Sequence, residues 1–194
     1  QLVEFAAGYY QRALGEVALA ALPPQLRELS ECQMQRRLKR KPGSAPDTAP
    51  VAPEPAVQLS AEQQEVLAQF HAAQGTFVLF GTTGSGKTEV YLQCVQRLLQ
   101  QHPEAQALVM VPEINLTPQL QARFEARFVP LYGAQSVVSM HSGMTPPQRL
   151  RSWLAAHSGV ARVVLGTRMA VFASMPQLKL IVVDEEHDPS YKQQ

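Results

Sequence analysis

Residues 81–88 spell GTTGSGKT, which fits the spacing G-x-x-x-x-G-K-[ST] and directly follows an apolar run at 76–80. No other string constrains the fold as tightly, because its use demands a strand before it and a helix after it. Gly81, Gly84 and Gly86 let the backbone turn sharply, so that amides of Thr82, Thr83 and Ser85 point inward at an anion. A helix starting near Gly86 would add its positive N-terminal end to that site. Lys87 supplies a point charge for the β- and γ-phosphate oxygens, and the Thr88 hydroxyl a ligand for Mg²⁺.

A second apolar run, 180–183, ends abruptly in Asp184, Glu185, Glu186 and His187. Asp184 stands where a carboxylate holds Mg²⁺ through water. Glu185, its neighbour, is expected on the other side of the backbone, toward the γ-phosphate, where it orients or deprotonates the attacking water. Two carboxylates in one site repel, and Lys87 with Mg²⁺ supplies the compensating charge. His187 is read as coupling nucleotide state to the rest of the protein rather than as a metal ligand, since no second His or Cys stands at ligand spacing.

Between and around these motifs the chain alternates. Apolar, β-branched runs at 77–80, 107–111, 136–140, 162–165 and 180–183 predict strands, and helical patterns fall at 61–73, 86–101, 117–128 and 146–157. The alternation predicts an α/β lobe with a mostly parallel sheet and helices on both faces, its function at the carboxyl ends of the strands. There lie Pro112 and Glu113, with Thr117 opening the next helix, and Gly166, Thr167 and Arg168. Backbone amides, a threonine hydroxyl and an arginine at such ends suit the phosphates of a single DNA strand.

Upstream the texture differs. Leu2, Phe5, Ala6, Tyr9 and Tyr10 recur at helical spacing within 1–31, and Pro23 and Pro24 end the pattern. A basic run at 36–41 opens a segment, 32–57, rich in proline and alanine, which is read as a linker. The basic run serves either as a solvated flank or as a phosphate contact. Formal net charge is only +1, so nucleic-acid contact would have to come from local patches. The two cysteines, Cys32 and Cys94, form no C-x-x-C pair, which argues against a structural disulfide and for a reducing cytoplasm. No apolar run is long enough to span a membrane. The chain reads as a piece of a longer protein.

The strings TGSGKTEVYL, VPEINLTPQ, HSGM, GTRMAVF and DEEHDPSYKQQ, in this order, resemble the first motor lobe of a superfamily 2 helicase, and more closely that of the bacterial replication-restart helicases. The resemblance covers 59–194 and implies a RecA-like, ATP-binding lobe, 58–194, truncated at its C-terminal end. It implies that Lys87, Thr88, Asp184 and Glu185 hold and hydrolyse ATP with Mg²⁺ and that Gln63, by its residues alone a polar helix-surface position, reads adenine. Pro112, Glu113, Thr117, Gly166, Thr167 and Arg168 would follow a DNA strand. His187, Tyr191 and Lys192 would couple DNA contact to hydrolysis. Residues 1–31 resemble the end of that family's N-terminal 3′-end DNA-binding domain. Asn115 stands where the family's loop has glycine. The implied activity is 3′→5′ unwinding at stalled forks, with forked and single-stranded DNA, primosome proteins and single-stranded-DNA-binding protein as partners. Zinc is expected only in a second lobe, and the location is cytoplasmic and nucleoid-associated. The alternative is a nucleotide- or DNA-binding module without turnover.

Overall fold

The computed structural model describes residues 1–39, 58–72, 75–82 and 84–192. Its helices are α1 (Leu2–Tyr9), α2 (Leu14–Ala21), α3 (Glu31–Lys39), α4 (Ala61–Ala72), α5 (Lys87–Gln101), α6 (Pro118–Tyr132) and α7 (Pro146–His157). Its strands are β1 (Gln106–Met110), β2 (Val137–Met140), β3 (Val163–Gly166) and β4 (Leu178–Val183). The strands pair in parallel in the order β2-β3-β1-β4. Each parallel step is spanned by a helix or a longer crossover, as parallel pairing requires.

Period-two alternation divides the sheet between two cores. Ala107 and Val109 on β1 and Val111 just after it, with Val163 and Leu165 on β3, pack on Leu92, Val95 and Leu99 of α5 and Phe124 and Phe128 of α6. Leu108, Met110 and Val164 face the other way, onto Trp153 and Ala156 of α7 and Ala170. Helix α6 starts at a Thr117 cap, whose hydroxyl accepts from Leu120 N–H at 3.2 Å. Helix α7 opens with a reciprocal Thr145–Gln148 capping box.

The run 77–80, expected as a strand, joins no ladder among the described residues. A strand needs a neighbour's unpaired amides and carbonyls; β4, the edge strand that leads to the acidic motif, pairs with β1 alone. Val78 and Phe80 are 87% and 95% exposed, and Phe77 packs edge-on against Phe70 of α4 at 4.7 Å.

The N-terminal segment also departs from expectation. The single helical pattern is two helices, α1 and α2, broken between Tyr9 and Leu14. Residues 32–39, expected as linker, belong to α3, and Met34 and Leu26 pack on the α7 side of the sheet. An apolar side chain within the basic run's approach thus found a surface to cover. The remainder of the linker, 40–57, lies outside the described residues, as do Thr83, Gln193 and Gln194.

Candidate functional site

The glycine loop leads straight into α5. Gly86 takes φ +82, and a Cβ there would run into the Gln63 amide. Only glycine satisfies both limits, so the loop turns within one residue into a helix whose first residue is Lys87. The Lys87 ammonium donates to the carbonyls of Gly81 at 2.8 Å and Thr82 at 3.2 Å and lies 3.7 Å from Glu185 Oε1.

The acidic motif comes off β4, and its backbone does what alternation forbids. Successive residues of an extended strand point to opposite faces, yet Asp184 and Glu185 line the same cavity. The cause is Glu185, whose φ of +47 lies in the left-handed region that non-glycine residues seldom adopt. This bend turns its carboxylate back toward Lys87, and His187 Nε2 lies 3.5 Å from its other oxygen.

Asp184 is held from three directions. Tyr91 O–H donates to Oδ2 at 3.3 Å, Glu185 N–H donates to Oδ1 at 3.1 Å, and Tyr191 O–H donates to the main-chain carbonyl at 2.9 Å. Burial, and next the Glu185 charge, push the Asp184 carboxyl above its ordinary value; the Tyr91 bond, the Glu185 amide and Lys87 only partly offset them. A carboxylate ionised against such a bias gains from an arriving cation. Burial likewise pushes the Tyr91 hydroxyl up, and the Asp184 charge adds to this, so it stays a donor.

The cavity is about 530 Å³, ample for a nucleotide's phosphates. Its lining combines Gly84, Gly86, Lys87 and Thr88 with Asp184 and Glu185, and on the α6 side Asn115, Thr117 and Arg123. No cluster of three or more His, Cys, Asp or Glu side chains stands ready for a metal among the described residues. One half-buried carboxylate, one hydroxyl and a loop built for phosphate are nevertheless the donor set of a cation that brings phosphate ligands with it, which fits Mg²⁺ with a nucleoside triphosphate.

The other expected residues scatter in role. Ser85 N–H closes a turn on Thr82 O at 3.2 Å. Gln63 spends its amide within the chain, Oε1 accepting from Ser60 N–H at 3.0 Å and Nε2 donating to Gly86 O at 3.4 Å. Of the six residues expected along DNA, Glu113 and Arg168 are exposed and Thr117 is half-buried, whereas Pro112, Gly166 and Thr167 are buried. The Thr167 hydroxyl is buried and has no hydrogen-bond partner among the described residues. Glu113 Oε1 accepts from Ser142 O–H at 3.1 Å, joining the loops after β1 and β2. Asn115 has no positive φ, so its turn has no need of the glycine expected there. Tyr191 sits on Asp184, His187 is 76% exposed, and Lys192 is exposed.

Sequence reasoning passed over Glu89, Tyr91 and Arg123. Glu89, 3% exposed, accepts from Arg123 Nη2 at 2.8 Å and Arg127 Nη1 at 2.6 Å, tying α5 to α6 beside the cavity. The signal for Tyr91 was helical spacing: it stands one turn beyond Lys87 and Thr88.

A four-stranded parallel sheet with helices on both faces, a phosphate loop opening α5 and an acidic motif ending β4 define a RecA-like helicase lobe. The DEAD/DEAH box helicase family matches residues 60–194, and the chain belongs to that family. It is similar to the replication restart protein PriA of Haemophilus influenzae, 44% identical over 141 residues, 71% of this chain and 18% of that protein. The protein of that name from Synechocystis is 48% identical over 117 residues, 60% of this chain and 13% of the relative. The one from Treponema pallidum is 35% identical over 188 residues, 96% of this chain and 26% of the relative. The chain thus spans about a quarter or less of these relatives' length. Among the described residues no helix is long and apolar enough to cross a membrane.

Proposed function

We propose that this chain is the nucleotide-binding lobe of an ATP-dependent DNA helicase that works 3′→5′ and remodels stalled forks during replication restart. The observation that carries the ATP reading is the convergence of Lys87, Thr88, Asp184 and Glu185 on one cavity, which Glu185 reaches only by a left-handed backbone. Lys87 exchanges its carbonyl partners for phosphate oxygens. Asp184 and Thr88 hold Mg²⁺, which neutralises charge on the phosphates when bound. Glu185 stands beside Lys87 to orient water and take its proton.

The DNA reading rests on the family and on the exposed strand-end groups, Glu113 and Arg168, that share the sheet's carboxyl edge with the site. The names of the relatives support a place in replication restart. With it come primosome proteins and single-stranded-DNA-binding protein as partners and a nucleoid-associated, cytoplasmic location. Residues 1–31 are assigned to the end of a 3′-end DNA-binding domain and Tyr191 to coupling, through its bond to Asp184. Zinc belongs to parts of the full-length protein beyond this lobe.

By itself the lobe binds without appreciable turnover. Among the described residues its cavity is lined by two cations, and both are engaged: Lys87 with Glu185 and loop carbonyls, Arg123 with Glu89. Phosphoryl transfer draws about 10³–10⁵ in rate from a further arginine. In the full-length protein, Lys87→Ala is expected to abolish DNA-stimulated ATP hydrolysis while the fold persists. Wild-type ATPase that ignores both single-stranded and forked DNA would refute the helicase reading.

A further inference from the structure

Tyr91 stands on α5, the helix that the phosphate loop opens, and its hydroxyl reaches the acidic half of the site. It follows Lys87 by four residues and Thr88 by three, so all three lie along one side of the helix. Its ring is buried, stacked on Phe124 of α6 with centroids 6.2 Å apart. The hydroxyl donates to Asp184 Oδ2 at 3.3 Å. Glu185 N–H fixes the other carboxylate oxygen at 3.1 Å. A phenylalanine would fill the same space against Phe124, so what the oxygen adds is polar and directional.

We infer that Tyr91 is a positioning residue, whose hydroxyl holds the Asp184 carboxylate in a fixed orientation ready for a divalent cation. The inference rests on the reading of Thr88 and Asp184 as that cation's protein ligands. By accepting from tyrosine, Asp184 is held in one rotamer, and its ordering precedes ligand binding instead of being required by it. Groups that orient a metal's ligands in this way change metal affinity by roughly ten- to hundredfold when removed.

The test uses the full-length protein as wild type, Tyr91→Phe and Asp184→Ala, with a fluorescent ADP analogue titrated in EDTA and across Mg²⁺ concentrations. Wild type should bind the nucleotide more tightly as Mg²⁺ rises. Tyr91→Phe should need roughly ten- to hundredfold more Mg²⁺ for the same gain, with its EDTA affinity unchanged, and Asp184→Ala should lose the Mg²⁺ response. A Tyr91→Phe protein with the wild-type Mg²⁺ midpoint, beside an Asp184→Ala protein that has lost it, overturns the role of Tyr91 alone. Equal weakening with and without Mg²⁺ marks a packing role and also overturns it. An unchanged response in Asp184→Ala overturns both this inference and the reading beneath it.

Discussion

Replacing Glu89 by alanine should loosen the phosphate-loop helix from α6. In the folded chain this carboxylate, 3% exposed, accepts from Arg127 at 2.6 Å, Arg123 at 2.8 Å and Gln93 at 2.9 Å. Burial pushes its pKa up; the hydrogen bonds from Arg127 and Gln93 and the charges of both arginines pull it down further, and the balance lies below the ordinary carboxylate value. Alanine removes the counter-charge from two guanidinium groups with different exits. Arg123, with a side chain 37% exposed, turns to water, and its share is under about 1 kcal/mol. Arg127, 9% exposed, stays where it is, and taking one partner from a buried pair costs about 3–5 kcal/mol. Against a total stability of about 5–15 kcal/mol that is a large fraction. Urea denaturation followed by circular dichroism and by the fluorescence of Trp153 measures it. Glu89→Gln, which keeps the size and one acceptor, should lose less than Glu89→Ala. The acid limb supplies a second readout. Because the folded pKa lies below the unfolded value of 4.5, the stabilisation is complete above that value and is lost as pH falls through the folded pKa. Wild type and Glu89→Gln should therefore converge in acid and separate toward neutral pH. A loss below about 1 kcal/mol in Glu89→Ala would refute the view that this cluster anchors α5.

Two further substitutions probe the frame of the site. Gln106, fully buried, donates through Nε2 to Ala156 O at 2.8 Å and Ala161 O at 2.7 Å and accepts from Gln177 N–H at 3.1 Å. Gln106→Leu strands these main-chain groups and should cost about 2–4 kcal/mol, seen as a lower urea midpoint. At Gly166 a Cβ would collide with Ala170 Cβ and stand 2.9 Å from Met140 O. Gly166→Ala should therefore cost about 1–3 kcal/mol and displace the turn that carries Arg168, weakening single-stranded DNA binding by the full-length protein in a fluorescence-anisotropy titration.

The parallel sheet was legible because its strands are short, apolar and separated by helical patterns with caps, and β1, β2 and β3 fall within a residue of their expected bounds. The run 77–80 misled because local composition registers the capacity to pair and not the presence of a neighbour. Helix α3 was missed because Met34 and Leu26 are covered by α7-side contacts that no local window contains. At the site, the loop glycines and Lys87 could be placed from spacing alone, since spacing is what folds the loop. The facing of Glu185 could not, because its positive φ is imposed by the surroundings against its own preference. The exposed Arg168 and the buried Thr167 are sequence neighbours whose difference only the β3 exit decides.

The left-handed backbone at Glu185 carries a consequence for how this position tolerates change. Holding a non-glycine residue there costs about 1–3 kcal/mol, a cost glycine would escape. Drift toward glycine would thus be rewarded in stability while removing the carboxylate that faces Lys87. Position 185 is therefore one where gains in robustness and loss of chemistry arrive through the same substitution, and a stability-guided redesign of this lobe would have to be forbidden from making it.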